Sequence, residues 1–201
     1  MSHSEVKGPV YYQEDGFLKL NAFIKEVNPS KIFFLVDNNT HRDCLAVFLK
    51  KLESPENVEI LEIEAGEINK NLETCTGLWN ALSELDADRK SLMINIGGGV
   101  VTDLGGFVAS TFKRGIRYIN VPTSLLAMVD ASVGGKTGVD LGNLKNQIGV
   151  INHAEMVIID PAFLGTLPQT EMRSGLAEIL KHALISSETY WNKVTNLSEL
   201  T

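Results

Sequence analysis

Residues 92–112 read LMINIGGGVVTDLGGFVASTF. Leu92 to Ile96 is a short apolar run that passes directly into three glycines. Val100 to Phe112 then reads as a helix. Strand, glycine turn and helix in that order begin a βαβ unit. The same rhythm extends on both sides. KIFFLVD (Lys31 to Asp37) is a compact apolar run ending in an acid, and reads as a buried strand. Thr40 to Leu52 places Leu45, Phe48, Leu49 and Leu52 at helical spacing. VEILEIE (Val58 to Glu64) alternates as a strand does. Asn71 to Leu85 is helical again, through Leu72, Leu78, Trp79, Leu82 and Leu85. RYINVP (Arg117 to Pro122) is a strand stopped by its proline, and MVIID (Met156 to Asp160) is the last strand signal. This alternation predicts an α/β fold with a mostly parallel sheet. Such sheets take ligands beyond the carboxyl ends of their strands. The residues to watch are therefore Asp37, Glu64 to Lys70, Gly97 to Asp103, and Pro122 to Ser124.

The composition shifts after Pro168. QTEMRSGLAEILKHALI (Gln169 to Ile185) puts Met172, Leu176, Ile179, Leu180, Ala183 and Leu184 on one helical stripe, with nothing strand-like after it. The expected organisation is an α/β domain over 1–168 and the start of an all-helical domain over 169–201. A length of 201 residues then holds one complete domain and part of a second. Eighteen basic residues against 25 acidic ones give a net charge of −7, which argues against a nucleic-acid partner. Cys44 and Cys75 stand far apart, outside any C-x-x-C pair, and fit a reducing cytoplasm. The opening MSHSEVKGPVYYQEDG has no signal-peptide pattern, and no apolar run approaches the roughly 20 residues of a membrane span.

Eleven of the 17 glycines fall between positions 97 and 149. Glycine weakens helices and strands, so this density needs a reason, and close approach of a ligand to the backbone is the usual one. INIGGGVVTDLGGF suits a phosphate or pyrophosphate at a helix N-terminus. It departs from G-x-G-x-x-G, because the last position is Thr102, and Asp37 is the better ribose partner. A dinucleotide site and a tight structural turn both remain open on this motif. The second cluster, VDASVGGKTGVDLGNLKN, interleaves Asp130, Lys136, Asp140, Lys145 and Asn146 with glycines. Its G-K-T lacks the P-loop spacing, which excludes an NTPase of that kind. On the last helix, Glu178, Lys181 and His182 lie within one turn. A Glu and a His at i, i+4 could bind a metal, and a solvated Glu–Lys face explains the same spacing.

The stretch GGGVVTDLGGFVASTFKRGIRYINVPTSLLAMVDASVGGKTGVDLGNLKNQIG closely resembles the 3-dehydroquinate synthase family of sugar phosphate cyclases. RSGLAEILKHALI extends the match, and AGEINK (Ala65 to Lys70) is similar to the family's adenosine-side motif. The resemblance implies a Rossmann-like NAD-binding domain followed by a helical domain that completes a divalent metal site, zinc or cobalt. It implies conversion of 3-deoxy-D-arabino-heptulosonate 7-phosphate to 3-dehydroquinate and phosphate, with NAD returned unchanged. By position, Asp37 would hold the adenosine ribose, with Glu67 and Lys70 at the same end of the cofactor. Gly98, Gly99, Val100 and Asp103 would surround the diphosphate and its ribose. Thr123, Ser124, Lys145 and Thr166 would complete the cleft. Asp130, Lys136, Asn146 and Lys181 would face the substrate, with Lys136 and Asn146 near its phosphate. Arg114 would reach a neighbouring subunit's phosphate site, which implies a homodimer. Glu178 would be one of three metal ligands.

The family's two other ligands are histidines beyond residue 201, and none of His3, His41, His153 and His182 matches them. The family's basic residues for the substrate carboxylate also lie beyond that point. The chain is therefore expected to carry most of an NAD site, one metal ligand and half of a substrate site, and to be inactive alone. Three other readings share the pattern. One is a different sugar phosphate cyclase, one a metal-dependent polyol dehydrogenase, and one a non-catalytic nucleotide-binding fragment.

Overall fold

In the computed structural model, residues 8–53 and 56–196 are described. A six-stranded sheet is covered by helices on both faces. In chain order the elements are β1 (Val10–Tyr12), α1 (Gln13–Val27), β2 (Ile32–Asp37) and a helical run α2 over 38–49 with a π turn at His41–Leu45. Next come β3 (Val58–Ile63), α3 (Leu72–Glu84), β4 (Leu92–Gly97), α4 (Gly99–Thr111) and β5 (Arg117–Pro122). After these lie β6 (Lys136–Leu141), β7 (Leu144–Ile151), β8 (Val157–Ile159), α5 (Gln169–Ser186) and α6 (Glu188–Thr195). The sheet order is β1-β8-β5-β4-β2-β3, and every neighbouring pair is parallel. The chain leaves β2 toward β3 on one side and returns to β4 on the other. The switch point therefore lies between the carboxyl ends of β2 and β4, at Asp37 and Gly97.

Alternate residues of the central strands feed two cores. Phe33, Leu35 and Met93 pack with Leu78, Leu82, Leu104 and Phe107 of α3 and α4. Phe34, Ile94 and Ile119 pack on the other face with Phe17, Leu20 and Phe48. All five strands anticipated between residues 31 and 160 lie where their apolar runs placed them. The second glycine cluster is not a loop. β6 and β7 form an antiparallel hairpin in which Gly138 faces Gly149. A Cβ on Gly138 would stand 2.5 Å from the Ile148 carbonyl, and one on Gly149 would stand 2.3 Å from the Thr137 carbonyl. These two glycines admit the opposite strand rather than a ligand.

Two further features lay outside the sequence pattern. α1 carries Gly16 in its interior, which masks the short stripe of Phe17, Leu20 and Ile24; a Cβ there would meet Ile158 at 2.7 Å. The apolar stripe of α5 is largely uncovered. Leu176, Leu180 and Leu184 are exposed, and only Gly175 and Ala183 of this helix are buried. The contact that seats α5 is Gly175 against Leu125 and the Leu126 backbone, so the helix touches the sheet domain through the segment after β5 and not through its leucines. No helix among the described residues is long and apolar enough to cross a membrane.

Candidate cofactor and metal site

The crevice at the switch point begins with Asp37. This residue N-caps α2: its Oδ1 accepts from the Thr40 N–H at 2.7 Å, and its own N–H donates to Thr40 Oγ1 at 2.9 Å. The pair is a reciprocal capping box that fixes the carboxylate at the strand end. Asn38 clamps the neighbouring strand end, donating to Glu64 Oε2 at 2.9 Å and accepting from the Ala65 N–H at 3.2 Å. Its role could be sought in the DNNT run after the strand, although only the sheet order shows that β3 lies beside it.

Across the crevice, Gly98 N-caps α4 without any side-chain cap. The first-turn N–H groups of Gly99 and Val100 are the orphan donors of a helix that starts at the switch point. A Cβ on Gly98 would stand 3.3 Å from Ser124 Oγ, so glycine keeps this cradle open. Thr123 ties the end of β5 to β4, its N–H donating to the Gly97 carbonyl at 3.0 Å. Thr123 and Thr166 both approach the thiol of buried Cys44, beneath the crevice.

Lys70 is buried and holds two partners: Asp103 Oδ2 at 2.5 Å and Asn146 Oδ1 at 2.7 Å. Burial raises the Asp103 carboxyl above its ordinary value even though Lys70 acts against it. Asn146 has a left-handed backbone (φ 53°), and its N–H donates to Asp140 Oδ1 at 2.7 Å. Its side-chain oxygen thus faces Lys70. Lys145 on the hairpin meets Glu67 at 3.1 Å, and that carboxylate raises the lysine above its ordinary value.

A cleft of about 610 Å³ runs between α4 and the hairpin, lined among others by Asp103, Asp130, Lys136, Thr137 and Asn146. That volume suits a small organic ligand. Asp130 lies on a π turn, Ala127–Ala131. The turn is anchored from within the sheet: Asn120 Nδ2 donates to the Ser132 carbonyl at 3.3 Å, and the Ser132 hydroxyl donates to the Ala127 carbonyl at 2.7 Å. Asn95 Nδ2 in turn donates to Asn120 Oδ1 at 2.9 Å. Sequence reading passed over these two asparagines, because within strands they resemble any polar interruption.

From α5, Glu178 turns toward Asp130, and both Lys181 and His182 contact it. Lys181, ahead of His182, holds the Glu178 carboxyl below its ordinary value. Glu178 Oε1 is buried and has no hydrogen bond of good geometry despite these neighbours. Asp130, Glu178 and His182 present ligand atoms all within 4.8 Å of one another. The structure thus gathers Lys70, Asp103, Asp130, Lys136 and Asn146 around one cleft, with Glu178 and Lys181 at the Asp130 end. Arg114 stands apart. It follows α4, which at 13 residues is roughly 20 Å long, at the end away from Gly98. His3 lies outside the described residues.

The model of the 3-dehydroquinate synthase N-terminal family matches residues 60–174. A curated relative, 3-dehydroquinate synthase of Parabacteroides distasonis, is 45% identical over 169 residues, covering 84% of this chain and 48% of the relative. Among solved structures, 2-epi-5-epi-valiolone synthase of Streptomyces hygroscopicus with NAD+ and Zn2+ bound is similar at TM-score 0.76 and 32% identity, over 92% of this chain and 51% of that one. A 2-deoxy-scyllo-inosose synthase complexed with carbaglucose-6-phosphate, NAD+ and Co2+ is similar at TM-score 0.76 and 26% identity, over 89% and 50% of the two chains. The chain spans about half the length of the curated relatives it matches.

Proposed function

The chain belongs to the 3-dehydroquinate synthase N-terminal family, and we propose that it is the NAD-binding part of an enzyme that converts 3-deoxy-D-arabino-heptulosonate 7-phosphate to 3-dehydroquinate and phosphate. The observation that carries this reading is the uncapped N-terminus of α4, opening at the sheet's switch point behind a glycine cradle. That geometry fits a dinucleotide: orphan N–H groups at Gly99 and Val100 for the pyrophosphate, and a fixed acid, Asp37, for ribose hydroxyls. The donor set at the Asp130 end fits a divalent cation, because Glu178 brings a largely buried carboxylate to within 4.8 Å of the Asp130 carboxylate. In this reading 1–168 is the cofactor domain and 169–201 opens the metal-binding one. The enzyme is a cytoplasmic homodimer in which Arg114 serves the neighbouring site.

When bound, NAD would take and return a hydride, and the cation would polarise the alcohol oxygen at the reacting carbon. The chain's own residues orient and neutralise. Gly98, Gly99 and Val100 hold the diphosphate. Lys70 and Asp103 fix the inner wall, with Glu67, Lys145, Thr123, Ser124 and Thr166 around the cofactor. Lys136 and Asn146 offer an ammonium and an amide to the substrate phosphate. Asp130 and Lys181 face the reacting carbons, where the lysine stabilises developing negative charge. Glu178 holds the metal. The higher identity to a 3-dehydroquinate synthase than to the two other cyclases favours this substrate over theirs.

Calorimetry tests the reading directly. The chain binds NAD, and Gly98→Val, which fills the cradle beside Ser124, weakens binding at least tenfold with an unchanged circular dichroism spectrum. No heat at millimolar NAD, or equal affinity in the two proteins, would overturn it.

A further inference from the structure

We propose that Asn120, backed by Asn95, is a positioning residue that sets the Asp130 turn against the cofactor cradle. The proposal rests on the reading of the crevice above and extends it to a pair of amides inside the sheet. Segment 124–132 walls the cradle at two points. Ser124 Oγ stands 3.3 Å from where a Cβ on Gly98 would lie, and the Ala131 methyl stands 3.4 Å from the same position on Gly99. The two ends of the segment are held differently. At its start, the Thr123 N–H donates to the Gly97 carbonyl, and Ser124 Oγ accepts from the Ala127 N–H at 3.3 Å. At its far end, Asn120 Nδ2 donates to the Ser132 carbonyl at 3.3 Å. The Ser132 N–H and hydroxyl both donate to the Ala127 carbonyl, at 3.1 and 2.7 Å, and the Val133 N–H donates to the Asp130 carbonyl at 3.0 Å. The turn is thus one closed unit, and a shift of Ser132 carries Asp130 and Ala131 with it.

A second observation separates this pair from ordinary core packing. Asn95 and Asn120 are register partners on β4 and β5, in line with Met93 and Tyr118 of the apolar core under α4. Both are buried, at 0% and 4% exposure. Asn95 Nδ2 donates to Asn120 Oδ1 at 2.9 Å, which fixes the orientation of the second amide. Asn95 Oδ1 faces Gly105 of α4 and has no hydrogen-bond partner. Burying an amide oxygen unpaired is costly, and two leucines at these positions would avoid it. Leucines lack the N–H that reaches Ser132. Stability is given up here for a fixed turn beside the site.

The test uses the 201-residue chain with NAD as the probe. Urea midpoint, calorimetric NAD affinity and amide hydrogen exchange are measured for the parent, for Asn120→Leu, and for the double variant Asn95→Leu, Asn120→Leu. A merely structural role ties binding to stability, so the double variant, which recovers part of the lost stability, would recover binding in step. A positioning role separates the two. Both variants then bind NAD about tenfold more weakly than the parent, the equivalent of one misaligned hydrogen bond to a charged group. Exchange accelerates at Ser132 and Val133 in both, while Met128, whose N–H is held by the Ser124 carbonyl at 3.0 Å, keeps the parent's protection. If Asn120→Leu alone does not fold, the double variant carries the comparison. Parental NAD affinity in the double variant overturns the proposal and leaves the cofactor reading standing. Absence of NAD binding by the parent overturns the cofactor reading, and the role of Asn120 with it.

Discussion

Replacing Lys70 by methionine keeps the bulk of the side chain and removes one buried charge. Lys70 is the partner of Asp103 at 2.5 Å and of Asn146 Oδ1 at 2.7 Å, with side-chain exposures of 5% for the lysine and 18% for the aspartate. Breaking a buried ion pair costs about 3–5 kcal/mol, because the remaining charge has lost its compensation. Some water reaches Asp103, which reduces the expected loss to about 2–3 kcal/mol. In urea this lowers the midpoint by about 1 M. The loss depends on pH, with a defined sign. The folded-state pKa of Asp103 already lies above its ordinary 3.8 through burial, and removing Lys70 raises it further. A group raised in this way favours the fold at low pH and loses that contribution as the pH climbs through its folded value. The deficit of Lys70→Met is therefore greatest near neutrality and shrinks as acid protonates Asp103. Urea titrations of both proteins at about pH 7 and pH 5 measure it. A deficit that stays equal, or grows on acidification, would show that an ionised Asp103 is not what Lys70 compensates.

Two other outcomes follow from buried groups. Asn120→Leu strips the partner from Asn95 and frees the Ser132 carbonyl, for a loss of about 2–3 kcal/mol, whereas adding Asn95→Leu recovers part of it, since removing both partners is gentler than orphaning one; denaturation of the single and double variants reads this, and strict additivity would refute the coupling. Cys75 is fully buried and its thiol is pushed up to about 12, while burial also raises Cys44, so both react with a disulfide reagent at about pH 8 only as the chain opens; stoichiometric reaction of the native protein within seconds would contradict that placement.

The apolar runs at Ile32–Asp37, Leu92–Gly97 and Arg117–Pro122 were legible because a strand buried on both faces is apolar at nearly every position, whatever surrounds it. α1 was not, since a single interior glycine and few apolar positions leave too weak a period. The β6–β7 hairpin was missed for a related reason. Its glycines carry no side-chain signal, and their meaning, backbone against backbone at Gly138 and Gly149, exists only once the strands are paired.

Local order along the chain determined the α/β rhythm, the glycine turn ahead of α4 and the family resemblance, because each depends on neighbours in sequence. Tertiary structure alone decided which residues meet. Lys70, Asp103 and Asn146 are 33 and 76 positions apart, yet they form one buried polar cluster. Asp130 and His182 come together because Gly175 lets α5 sit against Leu125 and Leu126. Long-range contacts of this kind are set by how helices and strands pack on the sheet, and no spacing in the sequence encodes that distance.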